Sequence, residues 1–165
     1  MPGYSHISQE CSVPEISFLK QTLISMKIYT HSLSVEWGDC DPAGIVFYPN
    51  YYRWMDNATF HLFDSVGFGW DDIRAKFGAP GLPLISTHAE YRIPGFFGDR
   101  LDIEVGVSEW GTKSLTVSHR FMKDGKLAVE GWEKRVWSQG DPGGAKKISP
   151  APIPNEVKVA LSADQ

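Results

Sequence analysis

The sequence is short of cysteine, of basic runs and of long apolar stretches, and each shortage removes a class of protein. Two cysteines, Cys11 and Cys40, cannot build a disulfide framework, and no C-x-x-C pair offers a metal pattern. A reduced, cytoplasmic setting is the expectation. No apolar run approaches the ~20 residues that a membrane span needs, and no basic start followed by an apolar stretch marks a signal peptide. Lys and Arg total 16 against 20 Asp and Glu, a net charge of −4 without any basic cluster. That balance argues against nucleic acid or an anionic membrane as partner. There is no internal repeat, and no G-x-S-x-G elbow to carry a serine nucleophile.

What is present is an ordinary globular composition. A chain of 165 residues with 42% apolar and 22% charged side chains makes one domain around one core. Six Trp, six Tyr and nine Phe are plentiful for that size. Such flat side chains serve an aromatic core equally as well as a deep pocket or a subunit interface.

Patterning then orders the chain. Residues 1–26 mix Ser, Gln, Glu and Pro with few apolar positions and read as an extension, with the domain proper over 27–140. From Ile28 to Trp37 apolar and polar residues alternate, the mark of a half-buried strand. Glycine and proline at 38–44 break it. Tyr51, Trp54, Met55, Ala58, Leu62 and Val66 then recur with helical spacing and form one apolar stripe. Pro49 in the first turn or Asn50 as N-cap starts this helix, and Gly67 and Gly69 end it. A short helical turn over Asp71–Phe77 precedes four strand-like runs, Leu84–Ile93, Leu101–Trp110, Lys113–Lys123 and Lys126–Trp137. Asp124-Gly125 is the strongest hairpin signal among their breakers. Residues 141–165 read as a tail with a short helix at Asn155–Leu161. The order predicts an α+β fold, one long helix laid on a curved antiparallel sheet of about five strands. The four later strands are expected to form a meander, with strand 28–37 at its edge or inside it.

The junction between first strand and long helix holds the chemistry. It reads Trp37-Gly38-Asp39-Cys40-Asp41-Pro42-Ala43-Gly44-Ile45-Val46-Phe47-Tyr48-Pro49-Asn50-Tyr51-Tyr52. A helix start leaves unpaired backbone N–H groups and a positive dipole end. A carboxylate beside it, Asp41, suits chemistry on a polarised carbonyl. Asp39 reads as a turn residue capping local N–H groups. The two aspartates lack the further ligands of a Ca²⁺ loop, so no metal is expected. Cys40 has no partner base.

This run, continued by Arg53-Trp54 and Asp56 and more weakly through Pro83 to Trp137, closely resembles the 4-hydroxybenzoyl-CoA thioesterase family of hot-dog-fold enzymes. The resemblance covers about residues 28–137. It implies a hot-dog fold, active sites at a subunit interface in a homodimer or homotetramer, and hydrolysis of an acyl-CoA thioester to the free acid and CoA. Coenzyme A is then part of the substrate, and no cofactor is implied. The residue matching Asp41 is the essential carboxylate, nucleophile or general base. Tyr48 matches the position whose backbone N–H polarises the thioester carbonyl. A thioester polarised by fixed donors needs no Ser-His-Asp triad, because one such donor is worth about 10²–10³ in rate.

Five residues are expected to bind substrate. Gly44 lies in the aspartate loop. Asp56 and Thr59 share a helix flank with Tyr52 and Phe63, and from there Asp56 can accept a hydrogen bond from a phenol. Lys113 and Ser114 match a basic turn that holds CoA phosphates, with Arg120 or Arg135 as alternatives because Gly111 and Thr112 replace more basic residues. His61 reads as a surface or interface residue, and His88 and His119 as structural. An aryl-CoA is the leading substrate and a short- or medium-chain acyl-CoA the next. A non-catalytic acyl-CoA-binding module on the same fold is the alternative from another class. Hydratase chemistry would need a histidine near the helix start, and none lies between Ser32 and Phe60.

Overall fold

The computed structural model describes residues 26–141 and 147–162. Of the extension expected over residues 1–26, residues 1–25 lie outside the described residues. In chain order the elements are β1 (Tyr29–Ser34), a single 3₁₀ turn (Trp37–Asp39), α1 (Pro49–Asp64) and α2 (Trp70–Phe77). Then come β2 (Leu84–Tyr91), β3 (Arg100–Trp110), β4 (Ser114–Lys123), β5 (Lys126–Val136), the two-residue strands β6 (Ser138–Gln139) and β7 (Ser149–Pro150), and α3 (Asn155–Leu161).

The apolar stripe read from the sequence is the buried face of α1: Tyr51, Trp54, Met55, Ala58 and Leu62 are all buried. Against it stand the inward residues of β3 (Leu101, Ile103, Val105, Val107) and β4 (Leu115, Val117, Phe121), in one cluster. Burying each Leu or Ile side chain contributes about 2 kcal/mol. The helix seats closely on the sheet because β5 carries Gly131 beneath it. A Cβ there would lie 3.0 Å from Met55 Sδ and 2.5 Å from the His88 carbonyl oxygen of β2.

Pro49 is the first residue of α1, where its missing N–H costs nothing. Asn50 is not the cap; its Nδ2 donates instead to the Asp39 carbonyl at 2.9 Å. The Asp124-Gly125 hairpin forms as expected, with φ of 50° and 71°, the positive pair that a two-residue turn between twisted strands requires.

Two expectations need correction. The sheet order is β1-β3-β4-β5-β2, antiparallel throughout, so only β3, β4 and β5 form a meander. Strand β2 pairs with β5, not with β3, and residues 92–99 carry the chain back across to start β3 beside β1. That connection is fastened to the β1 side by Val35 N–H to the Asp99 carbonyl (2.8 Å) and Gly98 N–H to the Val35 carbonyl (2.9 Å). Single-strand patterning is blind to which edges meet, because every strand shows the same period. The domain also does not end at residue 140, for described residues of the segment read as a tail pack on it. Ala151, Ile153, Val157 and Leu161 belong to the core, and buried Met26 bridges to Ser162, so the packed fold reaches both ends of the described chain.

Candidate active site

The aspartate loop is a compact turn between β1 and α1, closed on itself by backbone bonds. Asp41 N–H donates to the Ile45 carbonyl and Gly44 N–H to the Asp41 carbonyl, both at 2.9 Å. Gly44 sits at φ +77°, a left-handed conformation that costs other residues about 1–2 kcal/mol. Ala43 N–H donates to Asp41 Oδ1 at 2.8 Å, while the second carboxylate oxygen has no partner among the described residues. The side chain of Asp41 is thus oriented, part-exposed and half free.

Asp39 holds this turn against the helix. Its buried carboxylate accepts the Glu36 N–H (2.9 Å) and pairs with Arg53 of α1 (2.6 Å). Its carbonyl accepts the Phe47 N–H (2.8 Å) and Asn50 Nδ2. The reading of Asp39 as a local cap is right and incomplete, for the pair with Arg53 ties the loop to the first turns of α1. A second tether comes from the connection before β3: Val46 N–H donates to the Gly95 carbonyl at 2.9 Å, and Ile45 bridges to Phe96.

Tyr48 is the residue preceding α1, and its N–H has no acceptor among the described residues. It stands at the start of a 16-residue helix, whose aligned peptides amount to roughly half a positive charge at that end. Around it, Phe47, Tyr48, Tyr51, Tyr52 and Tyr91 form an aromatic group with ring contacts of 5.4–6.5 Å. Burial, aided by a hydrogen bond with Tyr52, raises the Tyr91 hydroxyl above its ordinary range, so it stays protonated.

Two turns further along the same flank stands Asp56. Its side chain is 64% exposed, yet Oδ1 is held at 2.5 Å by Nη2 of Arg135, which is 6% exposed. Thr59 does not face outward: it is fully buried and its hydroxyl donates to Glu133 Oε2 at 2.9 Å. Arg135 grips Glu133 with two nitrogens (3.1 and 2.9 Å) and donates a third hydrogen bond to the Leu82 carbonyl (3.0 Å). Burial pushes the Glu133 carboxyl up, but His119 and Arg135 outweigh it and hold it at about 2. Burial pushes His119 down, against a partial lift from Glu133. His119 Nε2 lies 3.2 Å from Glu133 Oε2, but off the hydrogen-bond direction, and neither ring nitrogen has a partner among the described residues. The two-nitrogen guanidinium grip is the hydrogen-bonded contact that holds Glu133, with His119 neutral beside it.

This cluster was largely missed from sequence, although a signal exists. His119 interrupts the inward series Leu115-Val117-His119-Phe121, and Glu133 and Arg135 continue the inward series of Val129, so polar residues occupy core positions. It also removes Arg135 from the candidates for phosphate contact, since its donors are engaged and buried. Arg120 pairs with Glu104 at 2.7 Å. Lys113 is exposed in the turn between β3 and β4, with Ser114 opening β4. The aspartate loop abuts the connection before β3, so Lys113 lies a whole strand away, about 33 Å at the usual rise. One chain does not bring Asp41 and Lys113 together. His61 stacks on His31 at 4.3 Å between ring centroids. Among the described residues no three metal-ligating side chains cluster, and no helix is long and apolar enough to cross a membrane.

Comparison with known proteins adds the lineage. The model of the thioesterase-like superfamily matches residues 35–161. The 4-hydroxybenzoyl-CoA thioesterase of Pseudomonas sp. (strain CBS-3) is 35% identical over 113 residues, 65% of this chain and 80% of that protein. Its solved structure superposes with a TM-score of 0.75 at 31% identity, covering 82% of this chain and 99% of the other. A gentisyl-coenzyme A thioesterase structure gives 0.68 at 35% identity, covering 81% and 98%. The sheet order and the single long helix are those of the hot-dog arrangement, and the chain belongs to the thioesterase-like superfamily as a hot-dog-fold thioesterase.

Proposed function

We propose that this protein hydrolyses an aryl-CoA thioester, of which 4-hydroxybenzoyl-CoA is the type, to the free acid and CoA. The observation that carries the reading is the pairing of an oriented, half-free carboxylate (Asp41) with an unengaged N–H (Tyr48) at the N-terminus of a long helix. The thioester oxygen docks on the Tyr48 N–H, where the helix end stabilises the negative charge that develops on it. Asp41 then either attacks the carbonyl carbon, giving an anhydride that water cleaves, or takes a proton from the attacking water. Thiolate leaves without a strong acid. Gly44 permits the tight turn that presents Asp41.

The aryl preference rests on the flank formed by Tyr48, Tyr52 and Asp56. Asp56 lies two helical turns from Tyr48, about 12 Å along the axis, and helical side chains lean back toward the N-terminus. A planar aryl group with a hydrogen bond at each end fits that span, with its hydroxyl donating to the free oxygen of Asp56. Thr59 contributes indirectly, through Glu133. Both relatives described above are named for hydroxylated aryl thioesters, in keeping with this assignment.

A second copy of the chain completes the site in this reading. Strand β2 is a sheet edge along which Leu84, Ile85 and Tyr91 are exposed, and Phe47 and Tyr48 are exposed as well. Pairing of two β2 edges covers this surface, and the partner supplies Lys113 and Ser114 to the CoA phosphates that Asp41's own chain cannot reach. A homodimer, or a homotetramer built from two, is the proposed assembly.

The test is CoA release from a panel of aryl- and alkyl-CoA thioesters by wild type and Asp41→Asn. Fast aryl-CoA turnover that collapses in the variant upholds the reading. Equal rates on short-chain substrates move it to an aliphatic thioesterase, and tight binding without turnover moves it to a binding module. Label from H₂¹⁸O entering the Asp41 carboxylate in a single turnover separates attack from base catalysis.

A further inference from the structure

We infer that Arg135, fixed in the core by Glu133, is a positioning residue that makes Asp56 a selective acceptor for a hydroxyl-bearing acyl group. The inference rests on the aryl-CoA reading of the site and extends it from the contact residue to the device behind it.

Glu133 alone neutralises Arg135, through two hydrogen bonds at 2.9 and 3.1 Å in a dry environment. A buried guanidinium needs one carboxylate for this. The cluster nevertheless holds a second, Asp56, at 2.5 Å from Arg135 Nη2, and with His119 neutral the group carries one surplus negative charge. That charge sits at the only member that reaches the surface: Asp56 is 64% exposed, whereas Arg135, Glu133 and His119 are 6%, 2% and 0% exposed.

The geometry fixes what Asp56 can bind. Arg135 is held on every side, by Glu133 below and by the Leu82 carbonyl at 3.0 Å, so it cannot swing out to meet a ligand. Thr59 locks Glu133 from the helix side, and Glu133 locks Arg135. Oδ1 of Asp56 is thereby occupied and the carboxylate plane set, leaving Oδ2 as one directed acceptor. A substituent with an O–H or N–H donor satisfies it with a charge-assisted bond. A substituent without a donor leaves it unpaired, and an anionic one is repelled. Sites built to hydrogen-bond a substrate hydroxyl discriminate most strongly against the analogue lacking it.

The experiment compares kcat/KM for 4-hydroxybenzoyl-CoA and benzoyl-CoA in wild type, Asp56→Asn, Arg135→Lys and the double variant. Lysine keeps the charge but cannot reproduce the three-way guanidinium geometry. A hydrogen bond to a charged group predicts that the preference for the hydroxylated substrate falls about tenfold in either single variant, and no further in the double one. A purely structural Arg135 would lower the two substrates in proportion and leave their ratio unmoved; that result overturns the inference while the Asp56 reading stands. An unchanged ratio in Asp56→Asn overturns both. Should Arg135→Lys fail to fold, Glu133→Gln keeps Arg135 in place while loosening its anchor. The ratio must then fall at least several-fold in Glu133→Gln, and an unmoved ratio counts against the inference.

Discussion

The aspartate loop and the Arg135 cluster are two polar centres of this molecule built in opposite ways. The loop is made from sixteen consecutive residues, largely by backbone hydrogen bonds, and lies partly open at a helix end. The cluster draws side chains from α1, β4 and β5 and a carbonyl from the connection before β2, and lies almost wholly dry. In the first, local geometry presents an oriented, part-exposed carboxylate. In the second, tertiary packing holds charges that are costly to separate and reach the surface at one side chain, Asp56. Mutations at the two centres are therefore expected to separate activity from stability.

The largest expected effect is at Asp41. Asp41→Asn keeps the turn's hydrogen bond from Ala43 but removes the carboxylate proposed as nucleophile or base, so kcat is expected to fall by about 10³ or more with a melting temperature close to wild type. A kcat within tenfold of wild type would remove Asp41 from the chemistry. Arg135→Met reverses the pattern. It leaves Glu133 buried without a counter-charge, at a cost of about 3–4 kcal/mol, readable as a lowered midpoint in urea at unchanged slope. A change below 1 kcal/mol would mean that the cluster is wetter than its burial implies.

Acid sharpens the same contrast. The Glu133 carboxyl titrates at about 2 in the fold, below its ordinary value of 4.5, so the unfolded chain takes up its proton first. The stabilisation is complete above pH 4.5 and is lost as pH falls through 2, by about 3 kcal/mol. His119, depressed by burial, works in the same direction below its ordinary value of 6.5. Glu133→Gln should flatten the acid limb of the stability curve, while variants of the aspartate loop should not.

Smaller effects probe the loop's scaffold. Arg53→Met removes the ion pair to buried Asp39 and should cost about 1–2 kcal/mol, with a several-fold loss of kcat as the turn loosens from α1. Gly44→Ala, at φ +77°, should cost about 1 kcal/mol. Measured by thermal melts, equal losses at Gly44 and at Gly38, whose φ is not positive, would argue against backbone strain as the cause.

Legibility followed the same division. The aspartate loop, the helix stripe, the strand runs and α3 were visible because each is a pattern within one stretch: a turn composition, a 3.6 period, a 2 period. For Thr59, helical spacing gives a flank but not what lies opposite; Glu133, 74 residues away, decides that its hydroxyl is engaged inward. Arg135 was offered to CoA phosphates for the like reason, since a strand arginine looks the same whether it faces water or two carboxylates.

By itself, then, the sequence determined the elements, their α+β class and the loop that presents Asp41, because these depend on backbone propensity and on neighbours within a few turns. Tertiary structure alone decided that β2 leaves the meander for β5, that the C-terminal segment joins the core, and that Asp56 is backed by a buried guanidinium. Each of those is a choice among partners distant in the chain, made by edge pairing, by apolar burial and by the need of buried charges to find one another.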